Sequence, residues 1–211
     1  MINVVSRNGL ILAAFALVST GLIAVTQYYA APVIAVQQQR HLLKTLDAII
    51  PPELYDNALQ HDCIDITSLE WLGRKQPQRI FRATKNGQPV GMAIETTAPN
   101  GYNGKIDLLV GIIGNNTVSG VRVLQHSETP GLGDKIDLAV DDWILSFNNK
   151  TFEPGLGHHW AVKKDGGQFD QFTGATITPR AVVGAVKKAM TFYQQQQQHW
   201  FAMDNMCEVP Q

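Results

Sequence analysis

The 211-residue chain has only two cysteines, Cys63 and Cys207. That excludes a disulfide-dense scaffold and a four-cysteine zinc site. It also lacks an excess of either charge: 17 Lys plus Arg stand against 18 Asp plus Glu, a net −1. Nucleic-acid binders are usually clearly basic, so that class is set aside. No G-x-G-x-x-G fingerprint links a strand to a helix, which argues against direct use of a dinucleotide. No repeat of solenoid length occurs. At 45% hydrophobic residues the chain can bury a core, so wholesale disorder is excluded. The sharpest absence is local. From Asn8 to Gln39 there is no Asp, Glu, Lys or Arg over 32 residues, and all 18 acids follow residue 46.

What is there follows from that asymmetry. An apolar front is joined to one ordinary polar domain, as the length also suggests. Gly9–Tyr29 is uncharged and meets the roughly 20 apolar residues a membrane-spanning helix needs. Ser19, Thr20 and Thr26 can bond back to the helix, and Tyr28 and Tyr29 stand where an aromatic belt would lie. A signal peptide is the competing reading. Its core is shorter, about 7–15 residues, and the Ala30-Ala31-Pro32 stretch is a poor cleavage site. An uncleaved anchor is expected. Arg7 precedes it, and the next cations, Arg40 and Lys44, come much later. The positive-inside rule then puts residues 1–8 in the cytoplasm and the domain outside, in the periplasm of a bacterium. The expected organisation is an N-terminus over 1–8, a transmembrane helix over 9–29, an amphipathic connector helix over 30–52, a domain over 53–200 and a tail over 201–211.

Beyond the anchor, Leu42, Leu43, Leu46, Ile49 and Ile50 form one face at helical spacing, and Pro51-Pro52 ends the helix. Ile80–Thr84 and Val90–Thr96 flank Lys85-Asn86-Gly87-Gln88, a hairpin signal. Ile106–Ile113 and Val118–Leu124 flank Gly114-Asn115-Asn116-Thr117. Asp141–Phe147 reads as a short helix and Trp160–Lys164 as a strand. A last helix is expected from about Pro179, with Thr178 as its N-cap. Its face is Val182, Val183, Val186, Met190 and Tyr193, and Gln194–Gln198 continue it or fray. The fold class is α+β: a single N-terminal transmembrane helix, then a domain with an antiparallel sheet and flanking helices.

The chemistry concentrates at Gln168–Arg180, QFDQFTGATITPR. A small-residue loop entering a helix N-terminus suits an anion, because free N–H groups and the positive dipole end face it. Gly174 and Ala175 admit close backbone approach, and Thr173, Thr176 and Thr178 offer hydroxyls. On these grounds alone the plainer reading prevails, a glycine loop followed by a threonine cap.

Asp170-Gln171-Phe172-Thr173-Gly174-Ala175-Thr176, however, resembles the D-x-x-[S/T]-G-A-T signature of covalent FMN-binding domains. Gly101-Tyr102-Asn103-Gly104 resembles the family's G-Y-x-G entry to a core strand. His126-Ser127-Glu128-Thr129-Pro130-Gly131-Leu132-Gly133 resembles its H-x-E-T-P-G-L-G loop. The whole arrangement is similar to the G-subunit family of bacterial Rnf (Rsx) ion-translocating electron-transport complexes. The resemblance implies that a flavin transferase moves FMN from FAD onto Thr176 as a phosphoester, with Asp170, Thr173, Gly174 and Ala175 recognised during transfer. It implies that Glu128, Thr129, Gly131, Leu132, Gly133, Gly101, Tyr102 and Lys163 lie near the flavin. It implies an electron relay between NADH and ferredoxin in a complex that moves ions, with further membrane, flavin and iron–sulfur subunits as partners. No residue of this chain is expected to act as a catalyst. The C subunit of the sodium-translocating NADH:quinone reductase, a free-standing flavin reductase and a non-redox anchored scaffold are the alternatives.

Other residues take plainer readings. His158-His159 has no cysteine or carboxylate cluster beside it, so no metal is expected. Asp134, Asp137, Asp141 and Asp142 read as helix-start charges or a solvated face. Cys63 and Cys207 either pair in an oxidising compartment or remain free thiols.

Overall fold

The computed structural model describes residues 2–114, 116–153, 155 and 157–207. Asn115 of the expected second turn and residues 208–211 of the expected tail lie outside the described residues. The chain divides into two compact units, Met1–Leu42 and Leu43–Gln211.

Helix α1, Ile2–Ile49, is one element of 48 residues that continues through Pro32. Pro32 removes one N–H from the ladder without ending the helix. Its Ser6–Ile49 portion is long and apolar enough to cross a membrane. Within the first unit, Leu10, Leu12, Phe15, Leu17, Leu22, Ile23 and Tyr28 are all exposed. A row of exposed large apolar side chains is what a lipid-facing helix presents. Thr26 Oγ1 donates back to the Leu22 carbonyl at 2.8 Å, which removes a polar cost from that row. The helix stops at Ile49, as the Pro51-Pro52 pair requires.

The second unit is built on a six-stranded antiparallel meander in the order β1 to β6. Its strands are β1 (Cys63–Ser68), β2 (Arg74–Lys85), β3 (Gln88–Gly101), β4 (Gly104–Ile113), β5 (Thr117–Gln125) and the short β6 (Lys150–Thr151). The expected first hairpin is present. Asn86 and Gly87 take φ of 52° and 73°, the two positive values its tight turn needs. The strands extend beyond the expected limits, and β1 and β6 carried no clear signal.

Helix α2 (Leu69–Leu72) and helix α3 (Ile177–Phe201) are the unit's α-helices among the described residues. α3 packs on β3. It buries the expected Val182, Val183, Val186, Met190 and Tyr193 against Ile80, Met92, Ile94, Leu108 and Val110 of the sheet. Side chains alternate along a strand, so the sheet has a second face. The last turn of α1 and the residue after it supply its cover: Leu46, Ile49 and Ile50 are fully or almost fully buried. Ile49 lies over Gly111 and Gly120, which pair across β4 and β5. A Cβ on Gly120 would stand 3.1 Å from Ile49 Cγ2, so the two glycines make the groove into which Ile49 fits.

Two local expectations are corrected. Trp160–Lys164 is not a strand. Gly157–His159 and Lys163–Asp165 are 3₁₀ turns, and Val162 keeps a single bridge to Phe169. Gly166, with φ of 83°, turns the chain directly after Lys163–Asp165, so the segment meets Phe169 at one bridge rather than along a ladder. Thr178 is not the cap of α3 either. The helix begins at Ile177 with Thr176 at the capping position. The short 141–147 helix is present as a 3₁₀ turn over Asp142–Phe147, with Asp141 accepting from the Trp143 N–H at 2.9 Å.

Candidate functional site

Six aromatic rings form the floor under the 168–176 loop. Phe147 stacks on Phe169 at 4.4 Å, and Trp143 meets Phe172 edge to face at 5.1 Å. Phe152 and Trp160 close the cluster at 5.3 Å. Trp143 Nε1 also donates to the Asp170 carbonyl at 2.8 Å. Phe169 and Phe172 are buried, whereas Asp170, Gln171, Thr173 and Gly174 are exposed. One buried aromatic followed by two exposed residues, twice over, thus anchors the loop and presents it. The Ala175 N–H bonds the Phe172 carbonyl at 3.2 Å, and Gly174 takes φ of 83°. A four-residue turn with a positive φ at its third position favours glycine there. The turn delivers Thr176 to the N-terminus of α3.

Thr176 makes no side-chain capping bond, so its hydroxyl is not engaged by the helix it precedes. The first N–H groups of a helix have no partner within it, and their end of the dipole is positive. Around this point lies a cleft of about 220 Å³ lined by Tyr102, Glu128, Thr129, Leu132, Gly133 and 174–178. It is smaller than pockets that enclose a whole drug-sized ligand, so a large cofactor would lie partly in the open. Tyr102, Leu132 and Ile177 line it and are exposed, giving it apolar edges.

Of the expected cofactor residues, Glu128, Thr129, Leu132, Gly133 and Tyr102 meet at this cleft together with Gly174, Ala175 and Thr176. Gly101 stands behind it, where a Cβ would come 2.7 Å from Glu128 Oε1. Gly131, with φ of 76°, shapes the loop without lining the cleft. Lys163 is not in the lining either: its Nζ pairs with Asp170 Oδ1 at 2.6 Å. Thr173 is exposed on the turn. Thr178, already read as one of the loop's hydroxyls, is a wall as well, and Ile177 is a wall that the sequence reading did not place there. An apolar residue directly after the motif, too early to join the buried face of α3, was the available signal for Ile177.

Arg180 holds the preceding segment against α3. Its Nε and Nη2 donate to the two Asp165 oxygens at 2.6 and 2.9 Å. These bonds hold the Asp165 carboxyl below the ordinary carboxylate range and raise Arg180 in turn. The His158 and His159 rings lie 4.0 Å apart and tilted by 39°, and no cluster of metal-ligating side chains occurs among the described residues. Cys63 and Cys207 are joined in a disulfide, which settles the alternative left open by the sequence.

The donor set fits a phosphate-bearing flavin: a hydroxyl not engaged in capping, a helix N-terminus, close-approach glycines and apolar edges for a ring. Comparison with known proteins agrees. Residues 101–191 match the family model described as FMN-binding domain, and residues 1–49 match that described as RnfG N-terminal region. The first spans every wall of the cleft. The chain is 54% identical over 207 residues to the G subunit of the ion-translocating oxidoreductase complex of Pseudoalteromonas atlantica, covering 98% of this chain and 96% of the relative. It is 52% identical over 208 residues to the protein of the same name from Vibrio cholerae, covering 99% of each. For the one from Aliivibrio fischeri it is 47% identical over 209 residues, covering 99% of this chain and 100% of the relative.

Proposed function

This chain belongs to the G-subunit family of ion-translocating oxidoreductase complexes, and from that membership we propose that it is a membrane-anchored relay carrying FMN on Thr176. The carrying observation is the position of Thr176. Its hydroxyl makes no capping bond, stands at the N-terminus of a 25-residue helix and lies on the wall of the cleft. When bound, FMN supplies the one- and two-electron chemistry that these side chains lack. In attachment, Thr176 Oγ1 forms a bond to the FMN phosphorus of FAD, the phosphoanhydride bond breaks and AMP leaves. The hydroxyl proton passes to the transferase or to water. With FMN attached, the N-terminus of α3 would hold its phosphate, which the helix dipole favours. Tyr102, Leu132 and Ile177 give apolar contact, and the open side of the cleft leaves a route for electrons to partner subunits. A tether keeps the cofactor from being lost.

The anchor keeps the domain at the membrane. With no charged side chain from Asn8 to Gln39, it offers no ion path, so translocation belongs to partner subunits. A periplasmic domain is supported by Arg7 on the short N-terminal side and by the Cys63–Cys207 disulfide, which persists in oxidising compartments. Thiol labelling of intact cells after reduction checks this: a membrane-impermeant maleimide should reach both cysteines only once the disulfide is reduced.

The deciding test is intact mass and in-gel flavin fluorescence of denatured protein, produced with and without a flavin transferase, beside Thr176→Ala. A mass gain of one FMN residue that is absent in Thr176→Ala is expected. No bound flavin despite an active transferase would overturn the reading.

A further inference from the structure

Glu128 lies at the cleft, yet its hydrogen bonds run into the protein. The residue is 4% exposed. Its Oε1 accepts from the Asn103 N–H at 3.1 Å, and its Oε2 accepts from the Tyr102 N–H at 3.3 Å and from Thr178 Oγ1. Its own N–H donates to His126 Nδ1 at 3.1 Å. The donors come from the β3–β4 turn and from α3, and the acceptor sits on the 126–133 loop. These are the segments that wall the cleft.

The fit around the carboxylate is tight. A Cβ on Gly101 would stand 2.7 Å from Oε1, and one on Gly133 would stand 2.8 Å from Oε2. Both glycines flank the carboxylate because nothing larger fits there. A carboxylate that already accepts three bonds has little capacity left for a ligand.

We propose that Glu128 is a positioning residue of the cofactor cleft: it fixes the backbone at Tyr102 against the loop and α3, and so sets the wall a flavin meets. This rests on the flavin reading above. Thr178 belongs to the same device. Its hydroxyl bonds Glu128 rather than capping the helix, and the residue is fully buried.

The test uses the full chain with Glu128→Gln and Thr178→Val. Gln keeps the shape but turns an accepting oxygen into a donor that faces an N–H. Val removes the hydroxyl at nearly constant volume and leaves the carboxylate charged. In flavin-free protein, the Tyr102 and Asn103 amides should exchange with solvent about tenfold faster in Glu128→Gln, the scale of a lost charged hydrogen bond. In protein whose mass confirms FMN, both variants should lose visible-region flavin circular dichroism. Both should also gain quenching of flavin fluorescence by iodide, with the midpoint potential displaced from wild type.

Wild-type dichroism, quenching and potential in the loaded variants would reduce Glu128 to a structural role and overturn the proposal. An altered Glu128→Gln beside a normal Thr178→Val would point to direct contact between carboxylate and flavin, and would overturn it too. If Glu128→Gln does not accumulate, Thr178→Val decides alone. Failure of the wild-type chain to take up flavin is a different result, and it removes the flavin reading itself.

Discussion

Thr178 has one hydroxyl and two competing uses. Local sequence favours the cap, because Thr followed by Pro is a common helix start. The folded chain gives the hydroxyl to Glu128, 50 residues earlier, and leaves Thr176 at the helix start without a capping bond. A partner that distant has no local signature. Gly133 shows the same dependence: a Cβ would meet Glu128 Oε2 at 2.8 Å and Thr178 Oγ1 at 2.9 Å. Gly133→Ala should therefore cost about 1–3 kcal/mol through overpacking, read as a lower urea midpoint with unchanged slope. Arg180 and Asp165 give a pH-dependent case. Asp165 titrates below its ordinary range because Arg180 bonds its charged form. The pair's contribution is present above the unfolded carboxylate pKa and is lost as pH falls through the folded one. Arg180→Ala should raise the Asp165 pKa toward the ordinary range in an NMR titration. Global stability should barely change, since the pair is at the surface.

Among the elements, the end of α3 is held by contacts that join distant parts of the chain. Cys207 reaches Cys63 across 144 residues. Asn205 Oδ1 accepts from the Cys63 and Cys207 N–H groups, both at 3.0 Å. Buried Arg82 on β2 donates to the Trp200 carbonyl at 3.2 Å and pairs with Asp62 at 2.6 Å. Cys207→Ser should lower stability by about 2–4 kcal/mol in non-reducing buffer. Thermal unfolding with and without reductant checks this, and equal midpoints for the oxidised wild type and the variant would refute it. The aromatic floor is the element on which the 168–176 loop rests. Phe169→Ala should cost about 3–5 kcal/mol and slow flavin transfer to Thr176, because the loop loses its anchor. Transfer at the wild-type rate would show that the loop holds its shape without the ring.

At the scale of the whole molecule, the division between units does not fall at the proline pair that ends the helix. The second unit begins at Leu43, and Leu46, Ile49 and Ile50 are part of its core. A fragment beginning at Leu43 should fold cooperatively without detergent. One beginning at residue 53 uncovers a sheet face and should unfold or aggregate, because each lost Leu or Ile contributes about 2–5 kcal/mol. A domain of this size has only about 5–15 kcal/mol in total. Circular dichroism melts of the two fragments separate these outcomes, and equal stability would place the boundary at 53.

The sequence by itself determined what depends on composition and short-range pattern. An uncharged run of membrane length, hairpin strands around Asn86-Gly87, the apolar stripe of α3 and the small-residue Asp170–Thr176 loop before it are all local, and each was legible. Tertiary structure decided what depends on partners far apart in the chain. It joined Cys63 to Cys207, laid Ile49 on Gly111 and Gly120, turned Trp160–Lys164 away from a strand and moved Lys163 out of the cleft lining to pair with Asp170. It also turned Glu128 inward. Propensity and periodicity act over a few residues, whereas a buried carboxylate is oriented by whichever donors the fold brings beside it.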